Sequence, residues 1–113
     1  MPRDFKLYLD DILESTSRIL EYSGGATIET LRADKMRLDA IVRNLEIIGE
    51  ASGKLPIVIK DIYPSIEWKK IANFRNLLAH EYFGIDYEIL WDIINNKIPQ
   101  LKQIITDIID QTS

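Results

Sequence analysis

The sequence predicts an all-α fold, an antiparallel four-helix bundle with one short extra helix. Three observations point there. Apolar residues recur at spacings of three and four along four long segments, the spacing of one helix face. No stretch alternates apolar and polar residues as a half-buried strand does. Glycine and proline, which punctuate helices, fall between the segments at Gly24-Gly25, Gly53, Pro56, Pro64 and Gly84.

The first helix is expected from about Arg3 to Tyr22, with Phe5, Leu9, Ile12, Thr16 and Ile19 on one stripe and Asp10, Asp11, Glu14 and Arg18 largely outside it. Ser23-Gly24-Gly25 ends it, because glycine adopts the left-handed conformation that closes a helix. The paired glycines are not a phosphate loop, since no lysine follows at the required spacing and no strand precedes them. A second helical region spans about Thr27 to Ser52, with a break expected near Ala33-Asp34. Leu38, Ile41, Val42, Leu45, Ile48 and Gly49 form its apolar face, and Asp39, Arg43, Glu46 and Glu50 a polar line on another. That line is either a solvated face with intrahelical ion pairs or, in part, a support for the motif described below.

Between Pro56 and Tyr63 a short helical turn is expected, with Ile57, Val58, Ile59 and Ile62 inward. Ser65 is placed to cap the next helix, Ile66 to Phe83, with Glu67 near its positive end and Gly84 closing it. Asp86 caps the last helix and Glu88 lies in its first turn. Its stripe is Leu90, Ile93, Ile94, Ile98, Leu101, Ile104, Ile105 and Ile108. Pro99, lacking an N–H, should kink or restart that helix near Asn95-Asn96. Trp68 and Trp91 read as packing residues.

The 113 residues suffice for one hydrophobic core, so residues 1–113 are read as a single domain. An apolar fraction of 46% and a charged fraction of 28% are those of a soluble globular protein. There is no cysteine, which excludes disulfides, thiolate metal sites and a cysteine nucleophile and fits a reducing cytoplasm. The charged start Met1-Pro2-Arg3-Asp4 does not resemble a signal peptide, and no apolar run reaches membrane-spanning length. A net charge of −4 argues against a broad nucleic-acid surface, so any RNA contact must be local.

Chemistry concentrates in Arg75-Asn76-Leu77-Leu78-Ala79-His80-Glu81-Tyr82, which holds the single histidine of the chain. On a helix, Arg75 and Tyr82 would share one line, and Asn76 and His80 would stack one turn apart beside it. Ile71, Phe74, Leu77 and Leu78 would take the opposite, core side. A cation, an amide, an imidazole and a phenol would then meet on one surface. Such a set suits a phosphodiester: arginine presents a fixed fork of donors to phosphate oxygens, and imidazole exchanges a proton near neutral pH. One histidine and no cysteine make a di-iron or catalytic zinc site a poor fit, and nothing resembles a nucleophile elbow. No metal or cofactor is expected.

The spacing R-N-x-x-x-H-x-Y resembles the signature of the HEPN superfamily, and specifically of HepT-like (DUF86) proteins. The likeness extends to Arg43-Asn44-Leu45-Glu46-Ile47-Ile48-Gly49-Glu50-Ala51, to Pro64-Ser65-Ile66-Glu67-Trp68-Lys69-Lys70-Ile71, to Asp10-Asp11-Ile12-Leu13, and to Asp86 with Trp91 and Ile98-Pro99-Gln100-Leu101. It covers essentially the whole chain, and Arg75, Asn76, His80 and Tyr82 all match. The resemblance implies a HEPN-type four-helix bundle forming a two-fold dimer, with the motifs of both chains lining a cleft. It implies a metal-independent ribonuclease, the toxin of a type VII-like toxin–antitoxin pair. In that reading Arg75, Asn76 and His80 are catalytic, with Arg43, Glu46 and Glu50 in support. The implied partner is an MntA-type nucleotidyltransferase that adds AMP to Tyr82. The alternative is a binding module that contacts a nucleotidyltransferase or a nucleotide and cuts nothing.

Overall fold

A computed structural model describes residues 4–73 and 86–112. Among these, every regular element is helical: α1 (Phe5–Ser23), α2 (Ile28–Ala33), α3 (Lys35–Gly53), α4 (Ile57–Ile62), α5 (Trp68–Ala72), α6 (Tyr87–Asp92), a π-helical turn (Ile93–Lys97) and α7 (Ile98–Thr112). The all-α helical bundle expected from the sequence is thus the observed architecture.

α1, α2, α3 and α6 start where a short polar side chain satisfies free backbone N–H groups. Asp4 accepts from the Lys6 N–H at 3.0 Å and Asp34 from that of Arg37 at 3.1 Å. Thr27 and Thr30 cap α2 reciprocally. Gly24 is the C-cap of α1, and Gly25, at φ 73°, takes the left-handed turn that glycine adopts without strain. The expected break near Ala33-Asp34 falls at Asp34, which ends α2 and caps α3.

The core lies between α1, α3 and α7. Leu9, Ile12 and Ile19 of α1 meet Ile41, Leu45 and Ile48 of α3, and Ile98, Leu101, Ile105 and Ile108 close the third side. Burial of these branched aliphatics is what holds the fold. The expected stripes on α1, α3 and the C-terminal helix are the buried faces, with Phe5 and Ile104 only partly covered.

Two expectations need correction. Ile57, Val58 and Ile62 are not inward: they are 71%, 68% and 59% exposed, and α4 buries only part of Ile59. The six residues of α4 turn one narrow side to the core, and the one apolar side chain of the helix packed there is Ile59. Ser65 is not the N-cap of the following helix, which begins two residues later with Glu67 at that position. The delay has a visible cause. Ile66 is buried, its N–H bonds Tyr63 O at 3.2 Å, and the Trp68 indole N–H donates to Lys60 O at 3.1 Å and Tyr63 O at 3.2 Å. Residues 63–67 are thereby held in a turn. The irregularity expected ahead of Pro99 near Asn95-Asn96 is a π-helical turn over Ile93–Lys97, after which the α-helix resumes at Ile98. The π turn widens the backbone just before Pro99, so Ile98 N–H reaches back to Ile93 O, and the chain passes the proline without a break.

Candidate functional site

Arg75, Asn76, His80 and Tyr82 lie outside the described residues, as does most of the helix expected from Ile66 to Phe83. What the described residues show is the frame into which that segment is inserted: α5, which leads to it, and α6 with the π turn, which follow it.

α5 is anchored from below. Trp68 and Ile71 are buried, and α5 packs on the C-terminal part of α3, where a methyl group on Gly53 would sit 3.8 Å from Ala72 Cβ. The other wall begins at Asp86, whose carboxylate accepts from Glu88 N–H at 3.0 Å and Ile89 N–H at 3.2 Å. Arg32 of α2 lies over the Tyr87 ring at 4.7 Å, a cation–π contact that fixes this end against α2.

Between the two walls lies an open groove of ≈ 390 Å³. Ser65, Ile66, Glu67, Lys70, Ile71 and Asn73 line one side; Ile89, Asp92, Ile93, Lys97 and Gln100 line the other. Its floor is isoleucine and its rim is polar. Glu67 Oε2 and Lys70 Nζ pair at 2.7 Å. The Lys70 hydrogen bond and charge hold the Glu67 carboxyl below its usual range, with Lys97 adding a further attraction. Asp92 accepts a hydrogen bond from the Asn96 amide. These groove residues were not singled out as a site from the sequence. The available signal was the polar run Asn95-Asn96-Lys97 ahead of Pro99, where a π turn aims side chains away from the regular helical pattern.

The polar line of α3 is exposed for most of its length. Arg43 Nη1 and Glu46 Oε2 pair at 3.3 Å, and Glu50 Oε1 pairs with Lys54 Nζ at 3.4 Å. Arg43 with Glu46, and separately Glu50 with Lys54, thus form intrahelical ion pairs of the kind a solvated face carries. No helix of the described residues is long and apolar enough to cross a membrane.

With this frame in place, comparison with known proteins places the chain. The family described as Ribonuclease HepT-like matches residues 12–108, nearly its full length. This chain belongs to the HepT-like family. Among curated proteins, "Putative RNase MJ0127" of Methanocaldococcus jannaschii is 42% identical over 113 residues, covering 96% of this chain and 93% of that protein. "Probable ribonuclease HepT" of Thermococcus cleftensis is 41% identical, covering 90% and 93%. "Putative RNase TTE0752" of Caldanaerobacter subterraneus subsp. tengcongensis is 38% identical, covering 92% and 93%. No solved structure matches. The HepT-like match spans both walls of the groove and the motif segment that joins them in sequence.

Proposed function

We infer that this HepT-like chain is a ribonuclease that cuts RNA by attack of the 2′-hydroxyl on the adjacent phosphate, without a metal ion. The observation that carries the reading is the Arg75–His80 spacing inside the stretch matched by a ribonuclease family. Arg75 would grip the non-bridging oxygens of the scissile phosphate and offset the charge that grows on them. His80 would take the 2′-hydroxyl proton or return one to the departing 5′-oxygen, and Asn76 would hold the arginine and imidazole in register. The 2′-oxygen–phosphorus bond forms as the phosphorus–5′-oxygen bond breaks, so the first product ends in a 2′,3′-cyclic phosphate.

One chain has one imidazole, whereas the reaction gains from both a base and an acid. A two-fold homodimer would bring a second His80 to a shared cleft. A stable monomer at micromolar concentration in light scattering would contradict that arrangement. The setting that fits is the toxin half of a type VII-like toxin–antitoxin pair in the cytoplasm. Its MntA-type partner would transfer AMP from ATP to the Tyr82 hydroxyl and release pyrophosphate. A bulky anion there would compete with RNA for Arg75.

The competing reading is a helical module that presents Tyr82, or holds a nucleotide, and cuts nothing. The net charge of −4 favours it, since that charge gives RNA no broad attraction. Incubating the purified protein with RNA in excess EDTA separates the two. The ribonuclease reading predicts cleavage with cyclic-phosphate ends; a strict need for a divalent ion, or intact RNA, contradicts it. For the switch, mass spectrometry of the Tyr82 peptide after incubation with the nucleotidyltransferase and ATP should show one added AMP and loss of cleavage. Full inactivation of Tyr82→Phe by the same treatment would show that Tyr82 is not the switch.

A further inference from the structure

The groove between α5 and the α6–π segment is a built cavity whose acids are engaged and whose other rim groups are open. Glu67 is tied to Lys70 at 2.7 Å and Asp92 to Asn96. Lys97 makes no ion pair, and Ser65, Asn73 and Gln100 make no side-chain hydrogen bond, among the described residues. The volume of ≈ 390 Å³ falls at the small end of ligand cavities, roughly 300–1,000 Å³. An isoleucine floor, with Ile89 52% exposed at its edge, offers a flat apolar surface.

We propose that this groove holds one nucleotide of the RNA beside the bond that is cut, its base over Ile89 and Ile93 and its phosphate toward Lys97. The assignment rests on the ribonuclease reading above and adds to it a recognition subsite. Two observations select RNA as the occupant. The first is connectivity: α5 gives way to Asn73, two residues before Arg75, and Asp86 caps α6 four residues after Tyr82. The walls of the groove are therefore the two helices that the motif segment joins. The second is chemistry. Single-stranded RNA is held by flat side chains under its bases, most often aromatic, and by cations and hydrogen-bonding groups along its backbone and base edges. The groove offers the cation in Lys97 and hydrogen-bonding groups in Gln100 and Asn73, and in place of an aromatic ring an isoleucine surface against which a base can lie. A π turn contributes Lys97 to this rim, and such turns are frequent at functional sites. Because the floor is aliphatic rather than aromatic, discrimination between bases should be weak.

The test is isoleucine-methyl NMR of the full chain titrated with an RNA tetranucleotide whose riboses carry 2′-O-methyl groups, so that it binds without being cut. Saturable shifts are expected at the Ile89 and Ile93 methyls. Lys97→Glu and Ile89→Ala, both at exposed positions, should each weaken binding by about tenfold while the remaining spectrum stays native. AMP alone should bind far more weakly than the oligonucleotide. Shifts confined to other parts of the molecule, absence of binding, or AMP binding as tightly as the tetranucleotide would each overturn the assignment. Groove shifts without cleavage of unmodified RNA would retire the ribonuclease reading and leave the RNA site standing. Cleavage with silent groove methyls would retire the groove alone.

Discussion

Ser52, at the C-terminal end of α3, is fully buried, and its hydroxyl has no hydrogen-bond partner among the described residues. A lost hydroxyl–water bond that nothing replaces costs about 1–3 kcal/mol, and alanine is also the better helix former. Ser52→Ala should therefore leave stability unchanged or raise it by about 1 kcal/mol. Destabilisation by a similar amount in urea unfolding would reveal a partner for the hydroxyl. At the groove rim, Glu67 titrates below the usual carboxylate value of 4.5 because Lys70 favours its charged form. For a carboxyl with a depressed folded-state pKa, the pair's stabilising effect is complete above 4.5 and disappears as pH falls through the lowered value. In Lys70→Gln, the carboxyl titration of Glu67 followed by NMR should move up toward the usual value. An unmoved midpoint would mean that Lys70 is not the cause.

Among the elements, α6 shows how much one side chain contributes. Asp86 accepts from two N–H groups at the start of a helix that forms one wall of the groove. Asp86→Ala should destabilise the protein by about 0.5–2 kcal/mol, whereas Asp86→Ser should restore most of it. Equal loss in both variants in denaturant melts would argue against a capping role. This cap was readable from sequence because Asp followed by Glu two residues later, at the head of an apolar stripe, is a local signal. The stripes of α1, α3 and α7 were readable for the same reason: over fifteen or more residues a 3.6-residue period is distinct. α4 was not. Ile57, Val58, Ile59 and Ile62 crowd a six-residue helix, where periodicity cannot choose the inner side and prolines at both ends fix the approach. The start of α5 was missed because the turn holding Ser65 outside the helix depends on Trp68 reaching carbonyls five and eight residues back. The π turn likewise answers to Pro99 and to burial of Ile93, Ile94 and Ile98 together. As for the site, the sequence pointed to Arg75–Tyr82, which lies outside the described residues, and its one hint of the groove was the polar run Asn95-Asn96-Lys97 ahead of Pro99. That groove has one wall from the α5 region and the other from α6 and the π turn, a pairing of segments distant in sequence that no local pattern encodes.

At the scale of the whole molecule, the bundle has one task in this account: to hold two helices as fixed ends for the segment that carries Arg75 and His80. The core does this with aliphatic packing among α1, α3 and α7. Tyr63 adds a clamp, its hydroxyl donating to Gln111 Oε1 at 2.9 Å and tying the approach to α5 to the end of α7. Changing His80 should therefore alter chemistry and leave the fold alone. The most direct measurement is the single-turnover rate of RNA cleavage by His80→Ala against the unaltered protein, both in EDTA, with thermal melts to confirm equal folding. The account predicts a loss of about 10²–10⁴ in rate at unchanged melting temperature. Cleavage by His80→Ala at the rate of the unaltered protein would contradict it.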